Sequence, residues 1–134
     1  MAKVTAGRDE LGKFAPKFAE LNDDVLFGEV WSREDKLSLR DRSIVTVTSL
    51  MASGILDSSL KFHIMRAKKN GVTAGEMAEI ITHAAFYAGW PKAWAAFRMA
   101  KEVYDSEEMS RCTIHNRKPF RGQRTAAAST EPQR

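Results

Sequence analysis

Three side chains with complementary proton chemistry recur at every fourth residue of TAGEMAEIITHAAFYAGWPKAW: Glu79, His83 and Tyr87. On a helix this spacing lines up a carboxylate, an imidazole and a phenol along one stripe. A carboxylate beside an imidazole fixes its tautomer, and the phenol adds a second donor, so the stripe suits general acid/base work. Trp90 follows at once and offers an apolar wall against water. The same spacing also suits an exposed helix face with a Glu–His contact, or a core histidine satisfied by a neighbour.

A second histidine, His63, lies in LKFHIMRAKKNG and borders the apolar stripe Leu60, Ile64 and Ala67. If this helix runs antiparallel to the next, His63 faces the His83 stripe. Arg42, beside Arg40 and Asp41, presents a fork of donors matched to a carboxylate; the alternative is a solvated first helical turn. Neither His63 nor His83 sits in a ligand arrangement such as HExxH, and no glycine-rich phosphate loop or serine nucleophile elbow occurs. No metal and no cofactor is therefore expected. The single cysteine, Cys112, excludes an intrachain disulfide and a multi-cysteine zinc site. With His115, it falls where no rigid site is expected.

Helices must position these residues. The apolar period is helical throughout, no internal repeat is visible, and the fold class expected is all-α, a compact bundle of about six helices. Asp9 to Trp31 carries an apolar stripe interrupted by Pro16, which predicts two short helices. Ser38, with Asp41 three residues on, caps a central helix that Gly54 stops, although its run Ile-Val-Thr-Val-Thr also fits a buried strand. Ser58 or Asp57 caps a helix ending at Asn70-Gly71. Thr73 and Glu76 form a capping box for Ala74 to Ala88, and Pro91 opens a last helix to about Asp105. Short connections predict that the last three are antiparallel neighbours.

The organisation expected is a flexible N-terminus at 1–8, a helical domain at 9–105 and a basic, flexible tail at 106–134. The chain of 134 residues carries a net charge of +4, but residues 105–134 hold 6 basic and 4 acidic side chains, as much excess as the far longer body. A nucleic-acid partner is therefore not expected, with only Phe120 available for stacking in the tail. No apolar run reaches membrane-spanning length and the start lacks a secretory h-region, so no membrane partner and a cytoplasmic location are expected. Phe14, Phe18, Phe27, Trp31, Trp90, Trp94 and Phe97 are a large aromatic supply for so small a core, which predicts a homo-oligomer.

From Leu11 to Tyr104 the chain resembles the carboxymuconolactone decarboxylase family, which includes the alkylhydroperoxidase D-like proteins. The likeness rests on LGKFAPKFAELNDDVLFGEVWSR, LSLRDRSIVTVTSLMASG and LKFHIMRAKKNGVTAGEMAEIITHAAFYAGWPKAWAAFRMAKEVY, with THAAFYAGWP the most characteristic part. It implies an all-helical subunit assembling into trimers or hexamers, with sites near subunit interfaces. The family's peroxidase branch uses a Glu early in the central helix, then CxxC, then a His. Here Ser43 stands near the Glu position, GILDSSLKFH contains no cysteine, and His63 matches the histidine. Thiol peroxidase activity is thus disfavoured. The decarboxylase branch implies lyase chemistry on a small organic acid or lactone. His63 and His83 would share the acid/base and oxyanion roles, Glu79 would orient His83, Arg42 would bind a carboxylate, and Tyr87 and Trp90 would shape the pocket. The alternative is a non-catalytic oligomeric binding protein.

Overall fold

The computed structural model describes residues 2–115, with side chains to residue 106. It is all-α, with no strand among the described residues. The elements are α1 (Ala6–Leu11), α2 (Pro16–Glu20), a π-helix running straight on from α2 (Leu21–Val30), α3 (Leu39–Ala52), α4 (Ser58–Lys69), α5 (Ala74–Ala88) and α6 (Trp90–His115). None is long and apolar enough to cross a membrane, among the described residues.

Local chemistry sets most of these boundaries. Pro16 occupies the first turn of α2, where its missing N–H costs nothing. The Ser38 hydroxyl accepts the Asp41 N–H, the Asp57 carboxylate accepts the Ser59 N–H, and Thr73 with Glu76 closes a reciprocal capping box. Gly54, Gly71 and Gly89 take positive φ values of 77°, 98° and 113° where α3, α4 and α5 end. The β-branched run of α3 is helical. Thr46 and Thr48 turn their hydroxyls back to the carbonyls of Arg42 and Ile44, each at 2.8 Å, while Val47 and Met51 enter the core.

The core lies where α3, α4, α5 and α6 converge, on Val47, Met51, Leu60, Ile64, Met77 and Ile81. Small residues of α6 (Ala93, Ala96 and Ala100) complete it and let the backbones approach closely. One expectation fails here. α4 and α5 are not packed neighbours; each packs on both α3 and α6, which meet between them. The stripes Leu60–Ile64–Ala67 and Met77–Ile81–Ala84 both seek the shared core, and burying both there keeps the two helices on opposite flanks.

Both ends differ from expectation as well. The ordered body begins at Ala6 inside the stretch expected to be flexible, because Gly7 is buried and its N–H, with that of Arg8, is held by Asp23. At the other end α6 continues through Asp105 to His115, so the helical backbone reaches Arg111, Cys112 and His115. No Gly or Pro stands between Pro91 and Pro119 to stop it. The remainder of the expected tail, 116–134, lies outside the described residues.

Candidate active site

The α5 stripe forms one wall of a groove. Glu79, His83 and Tyr87, with Ile80, Ala84 and Ala88, face Ile44, Thr48 and Ala52 of α3 across a space of about 710 Å³. That is room for a small organic molecule. α3 presents these residues because Val47 and Met51, on its neighbouring face, are anchored in the core. The Thr48 hydroxyl is already committed to Ile44, so that wall is apolar in effect. The lining includes no Lys or Arg.

His83 and Tyr87 are in ring contact, with centroids 5.3 Å apart and planes tilted by 36°. Both are exposed, Tyr87 at 84 %. No hydrogen bond or ion pair joins Glu79 to His83, although both line the groove. Trp90 is not part of the lining; it packs edge-on against Phe86, with centroids 6.1 Å apart, at the start of α6.

His63 and Arg42 stand elsewhere in the chain. His63 does not line the groove, as follows from the separation of α4 and α5. Its ring stacks on Trp31 at 6.2 Å, and its Nδ1 is buried without a hydrogen-bond partner. Burial first, and then the neighbouring Arg66 charge, push the His63 pKa down. Arg42 donates from Nε to the Leu37 carbonyl (3.1 Å) and from Nη2 to the Arg33 carbonyl (3.0 Å). It therefore staples the connector to α3, and those two donors are not turned toward a ligand. Ser43 is fully buried and takes a hydrogen bond from Asn70 Nδ2 at 2.9 Å. Among the described residues no three His, Cys, Asp or Glu side chains group as a metal site.

Two features escaped the sequence. The facing wall of α3, Ile44, Thr48 and Ala52, carries no motif that marks it as part of a site. Arg66, three residues after His63, lies 4.9 Å from the ring centroids of both Phe27 and Trp31. Its one-turn spacing from His63 was the available signal.

The model of the carboxymuconolactone decarboxylase family matches residues 16–102, from the start of α2 to near the middle of α6. The chain is also 39 % identical over 101 residues to a 4-carboxymuconolactone decarboxylase of Acinetobacter baylyi, spanning 75 % of this chain and 74 % of the relative.

Proposed function

The chain belongs to the carboxymuconolactone decarboxylase family, and from that premise we propose that it decarboxylates a small carboxylated lactone or a similar organic acid in the groove between α3 and α5. The observation carrying this reading is the convergence of Glu79, His83 and Tyr87 on one apolar-walled groove.

Loss of CO2 breaks a carbon–carbon bond and leaves its electron pair on the lactone. There the pair delocalises into the conjugated carbonyl, so the substrate supplies its own electron sink. The protein has to desolvate the departing carboxylate, stabilise the enolate oxygen and deliver one proton to carbon. Ile44, Ile80, Ala84 and Ala88 supply the apolar wall. The imidazolium of His83 gives the proton and is reprotonated from solvent. The Tyr87 phenol donates to the enolate oxygen, and the Glu79 carboxylate lines the same groove one helical turn before His83. A substrate carrying further carboxylates needs a cation that the groove lining lacks. We assign that task, and closure of the groove, to a neighbouring subunit of a trimer or hexamer. His63 then belongs to the site only through assembly.

Turnover of 4-carboxymuconolactone by the wild type and by His83→Asn tests the reading. A fall in kcat of about 10²-fold or more is expected for loss of the proton donor. Wild-type turnover in His83→Asn, or no turnover by the wild type, overturns it.

A further inference from the structure

Two apolar faces of this chain stand open, and they are opposite in form. The first projects. Phe14, in the turn between α1 and α2, is 90 % exposed, and Phe18, four residues on, is 60 % exposed. Leu11 and Leu21, also exposed, flank them. The same segment already spends a different set of side chains on its own body, where Ala19, Phe27 and Trp31 are buried. A helical segment that is apolar on two sides is one that is covered on both. The second face is the groove between α3 and α5, with Tyr87 in its lining and the exposed Phe86 next to it.

Charge divides the same way. Glu79 is the one side chain of fixed charge in the groove lining. The projecting turn carries Lys13, which has no ion pair or hydrogen bond among the described residues, and Lys17, which holds Glu20 at 2.8 Å. Each copy of the chain therefore offers an aromatic ridge with a free cation and an apolar groove that lacks one. That is the complementarity of a head-to-tail contact, which forms a closed ring when its rotation closes and then leaves neither face bare. Pairing the ridge with itself about a twofold axis centred on Phe14 would instead crowd two Lys13 ammonium groups together.

We propose that the α1–α2 turn of one subunit covers the α3–α5 groove of the next, Phe14 and Phe18 lying against Tyr87 and Phe86. Lys13 then supplies the cation for the carboxylate that the substrate retains. Only this role of Lys13 rests on the decarboxylation reading; the docking of ridge on groove does not. The retained carboxylate is present before and after CO2 leaves, so Lys13 acts on binding rather than on the chemical step.

The docking is tested by placing benzoylphenylalanine at Phe14 in the full chain and irradiating the assembled protein. Adducts joining two chains should form, and mass spectrometry should map them to residues 44–52 or 79–88. Interchain adducts to residues 11–21, adducts mapping elsewhere, or no interchain adduct overturn the docking. The role of Lys13 is read separately. Lys13→Gln should raise KM for 4-carboxymuconolactone about 10-fold or more with little change in kcat, and Lys13→Arg should restore it. Assemblies co-expressed from Lys13→Gln and His83→Asn chains should regain a component with wild-type KM, because Lys13 of one chain then meets His83 of the other. Far-UV circular dichroism checks that the variants fold. An unchanged KM in Lys13→Gln, or no regained component in assemblies that mass spectrometry shows to be mixed, overturns the role of Lys13. The cross-link needs no turnover, so an inactive wild type defeats the decarboxylation reading alone, and the adducts still decide the docking.

Discussion

The buried carboxylate of Asp23 accepts the backbone N–H of Gly7 at 2.8 Å, tying α1 to the π-helix across a separation of 16 residues. The Arg8 N–H at 3.0 Å and the Asn22 amide at 2.9 Å fill the same carboxylate. A Cβ built on Gly7 would stand 2.7 Å from Asp23 Oδ1 and 3.0 Å from the Ala19 carbonyl. Gly7→Ala is therefore expected to destabilise the protein, although Ala is the better helix former by about 1 kcal/mol. Gly75→Ala, in α5 with nothing within 4 Å, is the control. It should stabilise by about 0.5 kcal/mol. Thermal unfolding of the two variants reads opposite signs; equal signs would refute the close-approach argument.

The same carboxylate makes stability depend on acid. Burial opposes its ionisation, but the Asn22 amide, the Arg8 and Gly7 N–H groups and the Arg8 charge outweigh burial and hold its pKa below the usual 3.8. A carboxyl with a depressed folded pKa stabilises the fold above its unfolded pKa and loses that contribution as pH falls through the folded value. Wild-type Tm should drop as pH is lowered from about 4, and Asp23→Asn should be less stable at pH 7 with a flatter acid limb. Parallel acid limbs in the two proteins would show that Asp23 is not the titrating anchor.

The Thr73–Glu76 capping box offers a cleaner magnitude. Thr73 Oγ1 accepts the Glu76 N–H at 3.2 Å, and Glu76 returns a 2.9 Å bond to the Thr73 N–H while also pairing with Arg40. Thr73→Ala should cost about 1 kcal/mol by denaturant unfolding, with the slope of the transition unchanged. A changed slope would mean that the fold itself is altered.

What could be read in the residues was what a single helix decides. Ser38, Thr73 and Pro16 act within one turn, and Glu79, His83 and Tyr87 share a stripe whatever the bundle does. The belief that His63 faces His83 required α4 and α5 to pack together, and sequence adjacency does not fix which helices of a bundle touch. The weight of Arg66 was hidden for a similar reason. Its partners Phe27 and Trp31 lie far away in sequence on the π-helix, and apolar spacings of three and four there do not announce an i→i−5 bond such as that from the Trp31 N–H to the Leu26 carbonyl at 2.9 Å. The residues around Arg42 place it in the first turn of α3, but the return of its donors to the Leu37 and Arg33 carbonyls depends on the path of the connector, which helix spacing does not encode.

His63 gives a second pH dependence, of opposite origin. Its folded pKa lies below the ordinary 6.5, through burial and then Arg66. Between the folded value and 6.5 the unfolded chain binds more protons, so stability rises with pH through that window and falls as pH drops below about 6.5. His63→Gln should remove this dependence while leaving the acid limb of Asp23 in place. A Tm profile between pH 7 and 5 with the same slope in both proteins would count against it.

Within the proposed site, Tyr87 and Glu79 can be separated kinetically. Tyr87→Phe keeps the ring against His83 and removes only the donor proposed for the enolate oxygen. It should lower kcat by about 10²-fold with little change in KM, because that bond strengthens only as charge develops. Glu79→Gln should have a smaller effect on kcat, and a fall as large as that of Tyr87→Phe would show that Glu79 does more than line the groove.

Assembly is the remaining premise. Phe86 is 79 % exposed, Tyr87 84 %, and Trp90 and Trp94 each 57 %, so the end of α5 and the start of α6 present an aromatic face no isolated soluble subunit needs. The groove opens beside it, since Tyr87 belongs to both, and the groove lining holds no cation for a substrate carboxylate. Light scattering should therefore return a multiple of the 15.0 kDa subunit, threefold or sixfold. Trp90→Ser with Trp94→Ser should lower the mass and, because the neighbouring subunit closes the site, lower kcat/KM by about the same factor as dilution of the wild type to the same mass. A monomeric wild type that turns over 4-carboxymuconolactone would show that one chain carries the whole site. Retention of full activity by a dissociated double variant would show that the aromatic face serves assembly alone.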